Sequence, residues 1–383
     1  MKYKLKDCTL NITDGTHSTV INDENGKNFL LSCKNIKDGN ILISNDDRKI
    51  NDETLNKLKQ RTKLAKGDVL VTTVGTLGEM AYIKDDNINY DFQRSVGILK
   101  PDPKIVIPEY LYYLLKKEKN KVLEVARGTS QQCIFLSELK NIEIDIVDIE
   151  VQKKIVNVLN KIDYKISLNT HTNNNLQELL LSQYKLYFEN KEINGKLKDI
   201  VSKTNRTIKK DSINKSLKYY PIDILPKNDI ILQDGKNIEE AQSSLIEFKN
   251  NEILVGAMRV YFHRVCLSNY SGITRNTTFV LKPISDEYIY YSLLTIYQDS
   301  FIDYASLTSK GTTMPYAVWE NVCSEYNIYI PTKNELQEFN IICKAIIDKM
   351  NINQKENSKL EQIRDTLLPK LMNGEIDLDK IEI

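Results

Sequence analysis

Two loops carry the residue types suited to holding a polyanion: Arg127-Gly128-Thr129-Ser130-Gln131 and Lys310-Gly311-Thr312-Thr313. In each, a cation seeks phosphate, a glycine permits close backbone approach and short hydroxyls add hydrogen bonds. Gln131 could also pair bidentately with an adenine edge. Gln93-Arg94 and Arg275-Asn276 occupy matching places in a strand pattern, and both pairs hold side chains that fit base edges. His17 in the loop Asp14-Gly15-Thr16-His17, the pair Lys209-Lys210, and Arg259 extend the set. Plainer readings stand beside these: surface turns without a ligand, solvent-facing strand positions, and a histidine satisfied within the fold. Tyr112, Tyr113, Tyr290 and Tyr291 could stack on bases, but their helical spacing favours core packing.

Catalytic arrangements are missing from the sequence. There is no Asn-Pro-Pro-aromatic tetrapeptide of amino-methyltransferases and no GxxxxGK(S/T) phosphate loop. Gly75-Thr-Leu-Gly78 is too short for a dinucleotide fingerprint and reads as a turn between strands. Pro101-Asp-Pro-Lys104 lacks the second acidic residue that a nuclease metal site needs, and Asp85 and Asp86 read as turn residues. Six cysteines are scattered without a CxxC pair, and three histidines give no zinc spacing, so reduced, mostly buried thiols are expected. The chain is therefore expected to be no enzyme, with neither a metal nor a cofactor of its own.

The elements that must position these residues come in two copies. Residues 66–101 (KGDVLVTTVGTLGEMAYIKDDNINYDFQRSVGILKP) have a counterpart in 249–283 (KNNEILVGAMRVYFHRVCLSNYSGITRNTTFVLKP). Each is followed by a tyrosine-rich segment, then a basic-Gly-Thr loop, then a long amphipathic stretch. Gln152 and Gln337, like Asp163 and Asp348, lie 185 residues apart, and Pro101 and Pro283 lie 182 apart. So long a period is a duplicated domain and no solenoid unit. Within each copy, β-branched runs predict strands at 69–74, 80–83 and 96–99, mirrored at 253–255, 265–267 and 277–281. Helical spacing follows at 109–119 and 287–298. Each half is a small mixed α/β domain.

Beyond each domain, apolar residues recur at three-and-four spacing: Ile155, Val158, Leu159, Ile162 and Ile166, then Leu176 to Tyr187; and Phe339, Ile342, Ile346 and Met350, then Leu360 to Leu371. Polar stretches at 167–175 and 351–358 predict an interruption at the same place in each. Some 35 helical residues span roughly 50 Å, too long for one small domain to bury, so the two rods are expected to pair antiparallel. Carboxylates at Asp148 and Glu150 suit the N-terminus of the first rod, and Pro331-Thr332 offers a stop and a cap for the second. The expected organisation is a domain over 1–149, a long helix over 150–190, a second domain over 191–333, a second long helix over 334–373 and an acidic tail over 374–383.

Charge bounds the partners. The net charge is only +1, with 41% hydrophobic and 27% charged residues, as in a folded soluble protein. No apolar run approaches the roughly 18 to 20 residues that span a bilayer, and the N-terminus lacks a signal-peptide pattern. A cytoplasmic protein with no membrane partner is expected. Locally, residues 48–66 carry a formal +5 and residues 196–218 a formal +6, one run upstream of each strand-rich core, a distribution suited to phosphate contact.

Taken in order, these residues resemble the specificity subunits of type I restriction-modification systems. The resemblance covers essentially the whole chain. It rests on Asp14-Gly15-Thr16-His17, Gly67-Asp68-Val69-Leu70-Val71 with Gly75 and Gly78, Gln93, Leu99-Lys100-Pro101, the tyrosine segment, Gly128-Thr129-Ser130-Gln131, and Glu150-Val-Gln152 through Asp163 into Asn174-Asn175-Leu176. It implies two target-recognition domains, an antiparallel coiled coil, and double-stranded DNA with a bipartite target as ligand. It further implies two DNA adenine methyltransferase (modification) subunits as partners, with restriction subunits beside them. S-adenosylmethionine, and ATP with Mg where a restriction subunit is present, would be used by those partners. The second half departs from the pattern, because Asn250-Asn251-Glu252 replaces the Gly-Asp turn and Arg259 stands near the place of Gly75. Two other classes stay open: an enzyme with an unrecognised site, and a scaffold or antagonist that binds modification subunits without reading DNA.

Overall fold

The computed structural model describes residues 1–44, 46–128, 132–209, 213–241 and 244–378. Contacts divide the chain into two units, Met1–Asp163 with Gln362–Ile383, and Tyr164–Glu361.

In the first unit, strands Thr9–Asp14, Val96–Pro101, Val69–Thr72 and Met80–Tyr82 form one antiparallel sheet in that order. The inner strand Val69–Thr72 is buried at every position and apolar but for Thr72, because both faces are covered. Val69, Val71 and Leu99 enter one core with Tyr110, Leu111 and Leu114, while Leu70, Val96 and Ile98 enter another with Phe92 and Ile83. A three-stranded sheet, Arg48–Ile50, Asn28–Leu31 and Tyr90–Phe92, lies beside it in sequence. Helix Asp52–Thr62 occupies the basic run; Asn51 caps it by accepting from the Thr54 amide at 2.9 Å. Pro108–Lys117 buries all three of its tyrosine-segment rings, Tyr110, Tyr112 and Tyr113.

The second unit repeats this plan. Val201–Lys203, Thr278–Pro283, Ile253–Gly256 and Val265–Leu267 form the matching sheet, with Leu281 opposite Ile253 as Leu99 is opposite Val69. Its second sheet has four strands: Thr207–Ile208, Leu245–Phe248, Gly272–Arg275 and Lys218–Tyr220. Helix Ile289–Tyr297 buries Tyr291, whose hydroxyl donates to the Tyr329 carbonyl.

The altered turn of the second copy preserves its mechanics. Asp68 accepts from the Ala65 amide at 2.9 Å and pairs with Lys100 at 2.6 Å. Glu252 accepts from the Lys249 amide at 2.8 Å and pairs with Arg206. Asn251 (φ 64°) takes the left-handed place of Gly67 (φ 86°), and Arg259 (φ 49°) that of Gly75 (φ 83°). The expected departure is thus one of residue type with the backbone kept. Burial raises the Asp68 carboxyl above its ordinary value against the opposing pull of Lys100.

The two long helices are Ile149–Phe188 and Lys333–Met372. Neither is interrupted. The polar stretches read as breaks are helical, and in the second unit they build a buried polar layer. Asn169 donates to Asn357 Oδ1 at 2.9 Å and Glu356 Oε2 at 2.8 Å, and Asn353 donates to Asn173 Oδ1 at 2.8 Å. Numbering falls on one helix as it rises on the other, so the segments within this unit run antiparallel. Asn169, Asn353 and Asn357 are buried, and such amides within an apolar seam fix register at some cost in stability. The second helix starts with a capping box: the Thr332 amide donates to Glu335 Oε2 at 2.9 Å and the Glu335 amide to Thr332 Oγ1 at 3.4 Å.

In the first unit, Gln152 anchors the first long helix. It is fully buried, accepts from the Ile107 amide at 2.9 Å, and donates to the Ile105 and Val147 carbonyls at 2.9 and 2.8 Å. Tyr113 donates to Asp163 at 2.6 Å, and Arg364 to Asp163 at 2.8 Å. Burial and the Asp163 carboxylate push the Tyr113 hydroxyl above its ordinary value. The acidic tail is no free appendage over its described part, because Ile376 and Leu378 pack on the core of this unit.

Candidate nucleic-acid interface

In the first unit a chain of backbone contacts gathers the expected residues at one end of the sheets. Thr16 pairs with Gln93; its amide donates to the Phe92 carbonyl at 2.8 Å and its carbonyl accepts from the Arg94 amide at 2.9 Å. Gly15 packs so tightly that an added Cβ would lie 2.0 Å from the Phe92 oxygen. Thr73 N donates to Ser95 O at 2.8 Å, Ile134 N to Thr73 O at 2.9 Å, and Arg127 and Cys133 exchange both backbone bonds at 2.8 Å. His17, Gln93, Arg94, Arg127 and Gly128 therefore sit on one continuous rim. Thr129 and Gln131 lie outside the described residues.

The second unit builds the same rim from different side chains. Asn276 N donates to Ser244 O at 3.2 Å, Ala257 N to Thr277 O at 2.9 Å, Ala317 N to Ala257 O at 2.8 Å and Arg259 N to Pro315 O at 2.7 Å. Lys310 and Tyr316 exchange backbone bonds at 2.9 Å. Arg275, Asn276, Arg259, Lys310, Gly311 and Thr312 are brought together. Lys209 follows Ile208, which is opposite Leu245 and so in line with Arg275. Lys210 lies outside the described residues. Tyr316 was not among the residues expected from sequence, yet it stands across from Lys310 as Cys133 does from Arg127; the shared six-residue spacing was the available signal.

Electrostatics separates committed cations from free ones. Of the nine arginines in the chain, six bind protein groups: Arg48 the Val20 carbonyl, Arg61 Asp14, Arg127 Glu138, Arg206 Glu252, Arg264 the Asp223 and Leu225 carbonyls, and Arg364 Asp163. Arg94, Arg259 and Arg275 have no side-chain partner among the described residues, and all three are on the rims. Two expected contacts are compromised: Arg127 is paired with Glu138 at 3.1 Å, and exposed His17 with Asp14 at 2.6 Å. The basic runs are less available than their formal charge implies. Lys196 and Lys198 both bind Glu325, Arg206 binds Glu252, and in the earlier run Lys59 donates to the Ile88 carbonyl.

Among the described residues no helix is long and apolar enough to cross a membrane. The six cysteines are free: Cys8, Cys266, Cys323 and Cys343 are buried, and Cys33 and Cys133 are half-buried beside the first rim. The Cys33 amide donates to Ser95 Oγ at 3.0 Å.

The chain is similar to known proteins. Residues 16–178 match the model of the type I restriction modification DNA specificity domain. The chain is 26% identical to the type I restriction enzyme MjaIX specificity subunit of Methanocaldococcus jannaschii, over 89% of this chain and 84% of that one. It is 21% identical to the HindI specificity subunit of Haemophilus influenzae, over 82% and 87% of the two chains. A crystal structure of the S subunit of a type I system from M. genitalium shares the fold, with a TM-score of 0.57 at 17% identity over 97% of this chain and 95% of that one.

Proposed function

The chain belongs to the specificity subunits of type I restriction-modification systems, and we propose that each unit reads one half of a bipartite duplex DNA target through the rim described above. The observation that carries this reading is the set of uncommitted arginines. Six of the nine arginines are held by protein groups and are unavailable to a ligand. Arg94, Arg259 and Arg275 have no side-chain partner among the described residues and lie where the duplicated loops of each unit converge, as a phosphate- or base-contacting surface requires.

The chain supplies recognition and leaves chemistry to its partners. Two adenine methyltransferase subunits using S-adenosylmethionine, and restriction subunits using ATP with Mg, would assemble on it in the cytoplasm. An apolar stripe supports protein docking: Tyr164, Leu168, Leu179 and Leu186 share one face of the first long helix within the second unit, with exposures of 71, 46, 44 and 77%. Co-expression with the modification subunit of its own system, followed by mass measurement and mapping of methylated adenines, tests the reading. The expected result is a stable complex and a bipartite motif, with methylation lost in the triple variant Arg94→Ala, Arg259→Ala, Arg275→Ala while the assembly keeps its mass. Unchanged methylation in that variant overturns it.

A further inference from the structure

We propose that Arg275 reads a guanine in the half-site of the second unit, at the place where the first unit presents Gln93 to an adenine. This rests on the DNA-reading function above and goes beyond it by assigning base chemistry to one position in each half-site. The two rims carry an amide and a guanidinium in opposite order. Gln93 and Arg275 are the half-buried inner members, and Arg94 and Asn276 the exposed outer ones. Main-chain bonds fix inner and outer backbones alike, with Gln93 N donating to Leu31 O at 2.8 Å, Arg94 N to Thr16 O at 2.9 Å and Asn276 N to Ser244 O at 3.2 Å. What sets the inner pair apart is burial, which leaves the half-buried Gln93 and Arg275 side chains fewer directions than the exposed Arg94 and Asn276. An exposed cation beside a duplex serves any phosphate, whereas a side chain held in place can select a base.

Arg275 has a further mark. Its Nε is shut off from solvent and has no hydrogen-bond partner, and the Thr277 and Thr278 hydroxyls share that condition. Three such atoms within four consecutive residues are a concentration that folding alone does not favour, since a buried donor without a partner forfeits its hydration for nothing. In the first unit the corresponding hydroxyl, Ser95 Oγ, is satisfied by the Cys33 amide. The Arg275 side chain as a whole is only half-buried, and its terminal nitrogens have no protein partner among the described residues, so they are left for a ligand that brings paired acceptors. The O6 and N7 edge of guanine presents two acceptors in the major groove that match the fork of a guanidinium, as the N6 and N7 edge of adenine matches a carboxamide.

The assembled methyltransferase complex, challenged with duplexes carrying each base in turn at every motif position, tests this. Wild type should prefer guanine by roughly 5- to 150-fold at one position of the second unit's half-site, the range of a bidentate contact. Arg275→Lys keeps the charge and loses the fork, so that preference should fall to near unity with the other half-site unchanged. Gln93→Arg tests the same correspondence from the first unit, and should convert an adenine requirement to guanine. Guanine preference surviving in Arg275→Lys, or a uniform loss across all duplexes with the motif unchanged, overturns the assignment. A wild-type complex with no sequence preference overturns the DNA-reading function and this assignment with it.

Discussion

Gln152 and Gln337 are repeat-related by 185 residues, yet their environments differ, and this permits an internally controlled test. Gln152 is fully buried and saturates the Ile107 amide and the Ile105 and Val147 carbonyls. Gln337 is exposed and has no side-chain hydrogen bond among the described residues. Gln152→Leu keeps the volume but strands three backbone groups. At about 1 kcal/mol for each stranded group, the low end of the usual range, the unit should lose about 3 kcal/mol. For a unit of this size that is a fall of roughly 6 to 12 °C in the melting temperature. Gln337→Leu should stay within about 0.5 kcal/mol of wild type, as surface changes do. Thermal and urea unfolding measure both, and hydrogen exchange should show the Ile107 amide losing protection in Gln152→Leu alone. Equal effects of the two substitutions, or a loss under about 1 kcal/mol for Gln152→Leu, would refute the view that this glutamine anchors the helix.

Three other outcomes are expected. Burial pushes the Cys8 and Cys343 thiols up to about 12 and Cys323 to about 11, so a thiol reagent at neutral pH should label Cys33 and Cys133 first; mass spectrometry of labelled peptides checks it. Lys191, with the Thr332 amide, holds the Glu335 carboxyl down from 4.5 to about 2. Its folded value is depressed, so its contribution is complete above about pH 4.5 and is lost as pH falls towards about 2; Glu335→Gln should abolish that segment of the stability–pH curve. In the amide layer, Asn353→Leu alone should destabilise by about 1–3 kcal/mol because Asn173 Oδ1 loses its donor, while Asn173 Nδ2 keeps the Met350 carbonyl. Replacing both by leucine should recover most of that loss, which a double-mutant cycle in urea measures.

Strong periodicity was legible in the sequence and cancelled polarity was not. The sheet strands 69–72 and 253–256 announce themselves because both faces are covered and each opens with three consecutive large apolar residues. Asp52–Thr62 hides, since only Leu55 and Leu58 mark its inner face among eleven residues. The stretches at 167–175 and 351–358 read as breaks because each asparagine looks unsatisfiable alone; their partners are each other, some 180 residues away. The rims were legible from the repeated order of loops. Whether a cation on them is free was not: Arg127 is claimed by Glu138 eleven residues on, a pairing that composition leaves undetermined. Conversely, Glu252 looked like a departure and proved equivalent to Asp68, because a carboxylate three residues beyond the amide it accepts from closes the turn in either length.

The first unit draws Leu368, Leu371 and Met372 into its core from the far end of the second long helix, while the second unit is the unbroken segment Tyr164–Glu361. During synthesis the order of completion is therefore reversed. The segment that leaves the ribosome first must wait for nearly the entire chain before its apolar surface can close, and the later segment finishes ahead of it. At roughly 5 to 20 residues per second, the nearly 200 residues between Asp163 and Gln362 take on the order of 10 to 40 s to make, an interval during which the nascent first unit exposes a surface that chaperones can recognise.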